Sequence, residues 1–175
     1  SSTINLENVF VTEANLIVDE GEGFRHIESC LPQILLCLSA EALGIMEVLN
    51  RLTVEYSKTR NQFGAPIGSF QALQHRMVDN FMAFEQSKSM VYRGICESTS
   101  FNKNDIDINQ FLKTAHAVKA LIAKNSKQIG DESIQIHGGL GMTDELNIGH
   151  FVKRLMMINV LFGDGDFHRQ CFSQN

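Results

Sequence analysis

A chain of 175 residues is long enough for one domain with a proper core and short for two. Its 43% hydrophobic and 20% charged residues exclude a disordered chain, and a net charge of −5 without a Lys/Arg cluster leaves no electrostatic footprint for nucleic acid. The four cysteines, Cys30, Cys37, Cys96 and Cys171, form no CxxC pair and no metal-ligand spacing, so no metal site is expected and they read as reduced thiols of a cytoplasmic protein. No apolar run approaches membrane-spanning length, and no basic segment followed by an apolar stretch opens the chain.

In chain order, residues 4–18 carry β-branched and aromatic side chains with partial alternation, which predicts a short strand over about 4–11 and an extended arm. A Gly-Glu-Gly turn at 21–23 ends the arm, and from Phe24 the period becomes helical. Leu31, Leu35, Leu38, Ala42, Ile45, Leu49, Leu52 and Tyr56 follow the three-and-four spacing of a bundle seam, with Pro32 early in the helix. Residues 60–69 are a Gly/Pro loop, after which Ser69 is placed to cap a second helix striped by Phe70, Leu73, Met77, Phe81, Phe84, Val91 and Ile95. A polar connection over 99–108 leads to a third helix with Phe111, Ala115, Val118, Ile122, Ile129 and Ile136 at bundle spacing, stopped by Gly138-Gly139. A fourth helix over about 146–161 is followed by a GDGD turn at 163–166 and a helical stub. The expected fold is all-α, an up-down four-helix bundle with a short N-terminal β arm.

Three stretches exceed what bundle packing requires. Residues 60–71, RNQFGAPIGSFQ, gather an Arg, two Gln and two Phe around a rigid loop that feeds a helix N-terminus. That is either a well-made interhelix loop or a cradle for a phosphate-bearing aromatic cofactor. The QIHGGLG stretch at 135–141 is either a helix stop or a place where a ligand approaches backbone closely, and it matches neither a Walker loop nor a dinucleotide fingerprint. In LFGDGD at 161–166, a carboxylate on a tight turn is either solvated or a general base held in an apolar pocket. His75, His116 and His137 build no metal spacing and read as structural or solvated.

In this order and on this bundle, R-x-Q-F-G-x-P-I-x-x-F-Q and Q-I-H-G-G-x-G resemble the C-terminal domain of the acyl-CoA dehydrogenase family. The resemblance covers essentially the whole chain. It implies that residues 1–23 are the end of a central β domain and its exit loop, that 24–175 are the helical domain, and that the remaining domains lie outside these residues. It further implies an oxidoreductase in fatty acid metabolism, a flavoprotein that dehydrogenates an acyl-CoA thioester to the trans-2-enoyl-CoA, with these residues inactive in isolation. FAD would be the cofactor, an electron-transfer flavoprotein the acceptor, and the assembly a homo- or hetero-oligomer. By similarity Arg60, Gln62, Phe63, Ile67, Phe70 and Gln71 contact the FAD of one active site, and Gln135 and Gly139 reach FAD bound mainly by a neighbouring subunit.

The chain departs from the family where the base belongs. Aligned without a gap, the family's catalytic Glu falls on Gly163; shifted by one residue it becomes Asp164, followed by Gly165, and Asp164 is the expected catalytic residue. The base position that some branches use on the first helix is Ile34, and Pro32, Gln33 and Leu35 stand where a CoA-anchoring Arg is common. The pattern resembles bacterial small subunits of paired dehydrogenases, the pimeloyl-CoA type among them. A non-catalytic assembly or flavin-binding subunit therefore stands as the alternative expectation.

Overall fold

The structure is a computed structural model that describes residues 2–174. It divides into two compact units, one ending at Leu31 and the other beginning at Pro32. In the first, residues 4–11 form no strand. Among the described residues, the only regular structure before the first long helix is a 3₁₀ turn, Glu13–Asn15, closed by Thr12 and Asn15 side chains. The expected strand fails for want of a neighbour, because a lone strand leaves both rows of N–H and C=O groups unpaired. The apolar residues of the arm stay exposed, Phe10 at 88% and Ile17 at 96%.

Helix α1 is Gly23–Thr59, α2 Gln71–Asn102, α3 Ile108–His137, α4 Ile148–Val160 and α5 Gly165–Gln174. In the second unit, side chains from four helices share one core: Met46 and Leu49 of α1, Phe84 and Val91 of α2, Phe111, Val118 and Ile122 of α3, Leu155 and Ile158 of α4. This is the expected four-helix bundle, with the C-terminal stub realised as α5 packed on α3. Helix α3 starts at Asp107, whose carboxylate caps it by accepting from Gln110 N at 2.8 Å.

Burial departs from the expected stripes in two helices. All six α3 stripe residues are buried. In α1 the seam is turned by one position, so that Leu36, Ser39, Met46, Thr53 and Ser57 join Leu35, Ala42 and Leu49 inside. Ser39 and Ser57 enter because their hydroxyls donate to the helix's own Leu35 and Val54 carbonyls. In α2 the small residues Ala83, Ser87 and Gly94 face inward, while Phe81 and Ile95 of the expected stripe lie exposed with Val78, Met82 and Tyr92. One 18-residue window of α1 reaches a mean hydropathy of 1.5 and is long and apolar enough to cross a membrane by length and composition. That corrects the expectation of no such run; Leu36, Ala42, Met46 and Leu49 of this helix fill the shared core.

Gly94 is where α1, α2 and α3 converge. A Cβ there would stand 2.7 Å from Leu36 Cδ1 and 3.3 Å from Val118 Cγ2. Gly94→Ile should therefore destabilise the bundle by about 1–3 kcal/mol through overpacking. Gly94→Ala, which asks the tip of Leu36 to move and Val118 Cγ2 to give slightly, should stay near neutral. Urea unfolding of the two variants checks this, and an Ile variant as stable as wild type would contradict it.

Candidate functional site

Helix α1 ends in a tight hairpin. Strand β1, Asn61–Gln62, pairs antiparallel with β2, Ala65–Pro66, and the two residues between them, Phe63 (φ 53°) and Gly64 (φ 80°), both take positive φ. That is the pattern of a two-residue type I′ turn. Glycine adopts it freely, but for Phe63 it is strained, and the strain is spent projecting a ring that is 95% exposed and stands edge-on to Phe70 at 6.2 Å. The hairpin is fastened by Ile67 N donating to Arg60 O at 2.8 Å and by Gly68, where a Cβ would press within 3.0 Å of the Ser57 carbonyl oxygen.

Ser69 does not cap α2. Its hydroxyl donates to Pro66 O at 2.7 Å inside a 3₁₀ turn, Ile67–Ser69, and Phe70 takes the N-cap position, where no side chain satisfies the helix N–H groups. The dipole end of α2 is thus left without a side-chain cap, an arrangement suited to an anion.

The end of α3 lies beside this hairpin. Arg60, Gln62, Phe63, Ile67 and Phe70 line one open groove of roughly 570 Å³ together with Gln135 and Gly139. Two stretches assigned by resemblance to cofactors of different subunits therefore face the same space; Gln71, exposed on the first turn of α2, is outside its lining. The His137 ring floors the groove, stacked on Tyr56 at 4.3 Å, with its Nδ1 donating to Ser133 O at 2.7 Å. Burial holds the His137 pKa below the usual imidazole value despite that bond, so the ring is a neutral structural plate at pH 7.

Charge in the groove is uneven. Arg76 is neutralised by a two-point pair with Glu132, whereas the Arg60 guanidinium makes no ion pair with any described residue. The three glycines also differ. Gly138 sits at φ 61° and Gly141 would bring a Cβ to 2.9 Å from Ile134 O, but Gly139 has neither a positive φ nor any atom within 4 Å of a Cβ. Nothing among the described residues requires a glycine at 139.

The turn after α4 is built separately. Phe162 (φ 59°) and Gly163 (φ 110°) reverse the chain, and Asp164 then caps α5, its Oδ1 accepting from Phe167 N at 2.8 Å. Asp164 is exposed and lines an open pocket of roughly 510 Å³ that mixes Ala120, Leu121 and Ala123 with Lys124, Lys127 and Arg169, and its Oδ2 accepts no hydrogen bond from any described residue. Behind the turn lies a buried polar cluster that sequence reasoning passed over. Lys119 of α3, fully buried, donates from Nζ to Ile158 O at 2.7 Å, Asn159 O at 3.3 Å and Gly163 O at 3.4 Å. Beside it His116 and His168 meet Nδ1 to Nδ1 at 2.8 Å, a contact in which one ring donates and the other accepts, so both cannot be charged. The signal for Lys119 was present: it lies four residues after Ala115 and three before Ile122, on the apolar face.

A family model described as acyl-CoA dehydrogenase, C-terminal domain, matches residues 21–175. The chain belongs to the acyl-CoA dehydrogenase family. It is 30% identical over 163 residues to a mitochondrial 2-methylacyl-CoA dehydrogenase of Solanum tuberosum, across 93% of this chain and 38% of that protein. To the short-chain specific acyl-CoA dehydrogenase of Megasphaera elsdenii it is 27% identical over 168 residues, with 95% and 42% covered. A solved structure described as PigA with FAD and proline matches with a TM-score of 0.83 at 27% identity, over 96% of this chain and 42% of that one. The chain thus spans about two fifths of the length of these relatives.

Within the acyl-CoA dehydrogenase frame, Gly163 cannot carry the Glu that a gapless alignment would place there. Its φ is 110° and a Cβ would run into the Phe167 ring. On the first helix Gln33 Oε1, next to Ile34, is buried without a hydrogen-bond partner among the described residues.

The buried histidines set an acid limit on stability. Burial, then the charges of His116 and Lys119, push the His168 pKa from 6.5 down to about 4, and burial lowers that of His116. Both rings stay neutral in the fold and protonate on unfolding. Their contribution is complete above pH 6.5 and is lost as the pH falls towards 4. Thermal melts should show Tm falling across that window, and less steeply in His168→Gln. Equal slopes for the two proteins would contradict the assignment.

Proposed function

We propose that this chain is the C-terminal domain of an FAD-dependent enzyme that dehydrogenates an acyl thioester at its α and β carbons. The observation that carries the reading is the groove, in which an unpaired guanidinium, two amides, two aromatic rings, an uncapped helix N-terminus and an open glycine converge. That donor set fits a dinucleotide. Arg60 and the α2 N-terminus would hold its pyrophosphate, Phe63 and Phe70 offer faces for stacking, Gln62 and Gln135 pair with polar edges, and Gly139 leaves room for close passage. Bound flavin supplies the hydride acceptor. The relatives' names support an acyl-CoA substrate, and an electron-transfer flavoprotein is the proposed acceptor. The exposed apolar face of α2 supports a homo- or hetero-oligomer that completes the site.

In this reading Asp164 takes the α-proton. Its Oδ1 is fixed by the α5 cap and its Oδ2 is left for the substrate. An apolar cover over the carboxylate has to come from other parts of the enzyme, since Asp164 is exposed in these residues. The same exposure and capping favour the second reading, in which the chain is a non-catalytic, flavin-binding subunit of a heteromeric dehydrogenase and Asp164 serves only the helix.

Asp164→Asn in the full-length protein separates the two readings, because Asn caps helices as well as Asp but cannot accept a proton. Turnover should fall by roughly a hundredfold or more, as expected for loss of a general base, with flavin content unchanged. Undiminished turnover would leave Asp164 as a cap alone. For the groove, Gly139→Leu should cut flavin content at unchanged melting temperature of the apo-protein. Full flavin occupancy in that variant would overturn the cofactor assignment.

A further inference from the structure

A charged side chain without a carboxylate in contact is seldom buried, because desolvation costs several kcal/mol and needs compensation. Lys119 is buried completely and its ammonium meets only carbonyls. Those carbonyls share one feature. Ile158 and Asn159 belong to the last turn of α4, where the helix leaves C=O groups unpaired and its dipole is negative, and Gly163 is the last residue of the bend, its carbonyl leading out of it. Between Asn159 and Gly163 stand Val160, Leu161 and Phe162, and Phe162 and Gly163 take positive φ in succession. One ammonium thus ties the two sides of a strained reversal together. The residue after Gly163 is Asp164, whose side chain is fixed from the other direction by the α5 N-terminus.

We propose that Lys119 is a positioning residue: its ammonium clamps both sides of the bend at 162–163 and so sets where the Asp164 carboxylate stands for proton abstraction. The inference rests on the reading of Asp164 as the base. A backbone displacement of about 1 Å at a reacting group costs roughly a hundredfold in rate, so a clamp on the preceding carbonyl is a clamp on turnover.

The clamp depends on the proton. The groups facing Lys119 are His116 on its own helix, His168 on α5 and Asp164 on the turn. Burial lowers the Lys119 pKa to about 8, against the attraction of Asp164. His168, at about 4, is uncharged throughout the alkaline range, and His116 is likewise lowered. As the pH rises through about 8 the ammonium loses a donor and its charge, and the bend loosens. The fold as a whole does not weaken with it: a lysine whose folded pKa lies below 10.5 favours its neutral form in the fold, so its contribution to global stability improves over that window. Local loosening without global destabilisation is the signature of the clamp.

The test compares full-length enzyme with Lys119→Met, which keeps the length and the apolar stem, and Lys119→Gln, which restores a neutral donor. Hydrogen-exchange protection at residues 161–167 is measured from pH 6 to 9.5 beside steady-state kinetics with an acyl-CoA. Expected for Lys119→Met at pH 7 is a loss of protection confined to 161–167 and a fall in kcat of roughly a hundredfold at similar KM and flavin content. Lys119→Gln should recover part of both. Wild type should lose the same protection, and kcat, through pH 8, and Lys119→Met should lack that alkaline limb. Protection and kcat within twofold of wild type in Lys119→Met would overturn the proposal. So would protection lost throughout α3 and α4, which would make Lys119 a general stabiliser. If Asp164→Asn turns over normally while Lys119→Met still frees the bend, the clamp exists and the reading of Asp164 as base has failed instead. If Asp164→Asn is inactive and Lys119→Met is not, the clamp inference alone has failed.

Discussion

Everything in the bundle is referenced to α3. Fifteen of its thirty residues are buried, spread along its whole length, and the polar ones among them have no water to turn to. Four of them find a partner on a neighbouring element, and each such bond fixes that neighbour. Asn125 donates to Ala83 O and Ser87 Oγ of α2, both at 3.0 Å. Ser126 reaches Asn159 of α4, Lys119 takes the α4 carbonyls and Gly163, and His116 meets His168 of α5. Apolar burial supplies most of the stability, but these polar joints specify in what register the helices sit.

Both candidate sites follow from that constraint. At one end of α3, the stacking of His137 on Tyr56 holds the α1 hairpin against the GG stop, so two segments about seventy-five residues apart form one groove. Towards its other end, Lys119 and His116 hold the turn that carries Asp164. Buried hydrogen bonds lie behind each surface, while the Arg60 guanidinium, the α2 N-terminus and Asp164 Oδ2 face outward. Preorganised supports with free functional groups are what a ligand site requires.

The fold was largely legible in the sequence because six apolar residues of α3 recur at bundle spacing and the Gly/Pro loop and GG stop mark the helix ends. The residues of the groove were legible through the RNQFGAPIGSFQ and QIHGG motifs, although their meeting on one surface was not, since spacing within each motif says nothing of distance between them. What pattern reading missed has a common cause. Ser39, Thr53 and Ser57 of α1 and Lys119 of α3 are polar by type yet buried, because bonds to backbone carbonyls satisfy most of them. Ser69 failed as a cap for the related reason that its hydroxyl found a nearer carbonyl, Pro66 O. The arm over 4–11 has strand composition, but pairing is a property of two segments, and these residues hold only one.

The central claim is that the groove between the hairpin and the GG stop is where the nucleotide cofactor lies. A crystal structure of the full-length protein in its native assembly with FAD tests it most directly. The account predicts a phosphate of FAD paired with the Arg60 guanidinium and the cofactor passing in van der Waals contact with Gly139. FAD held at full occupancy with this groove empty and Arg60 in solvent would contradict it.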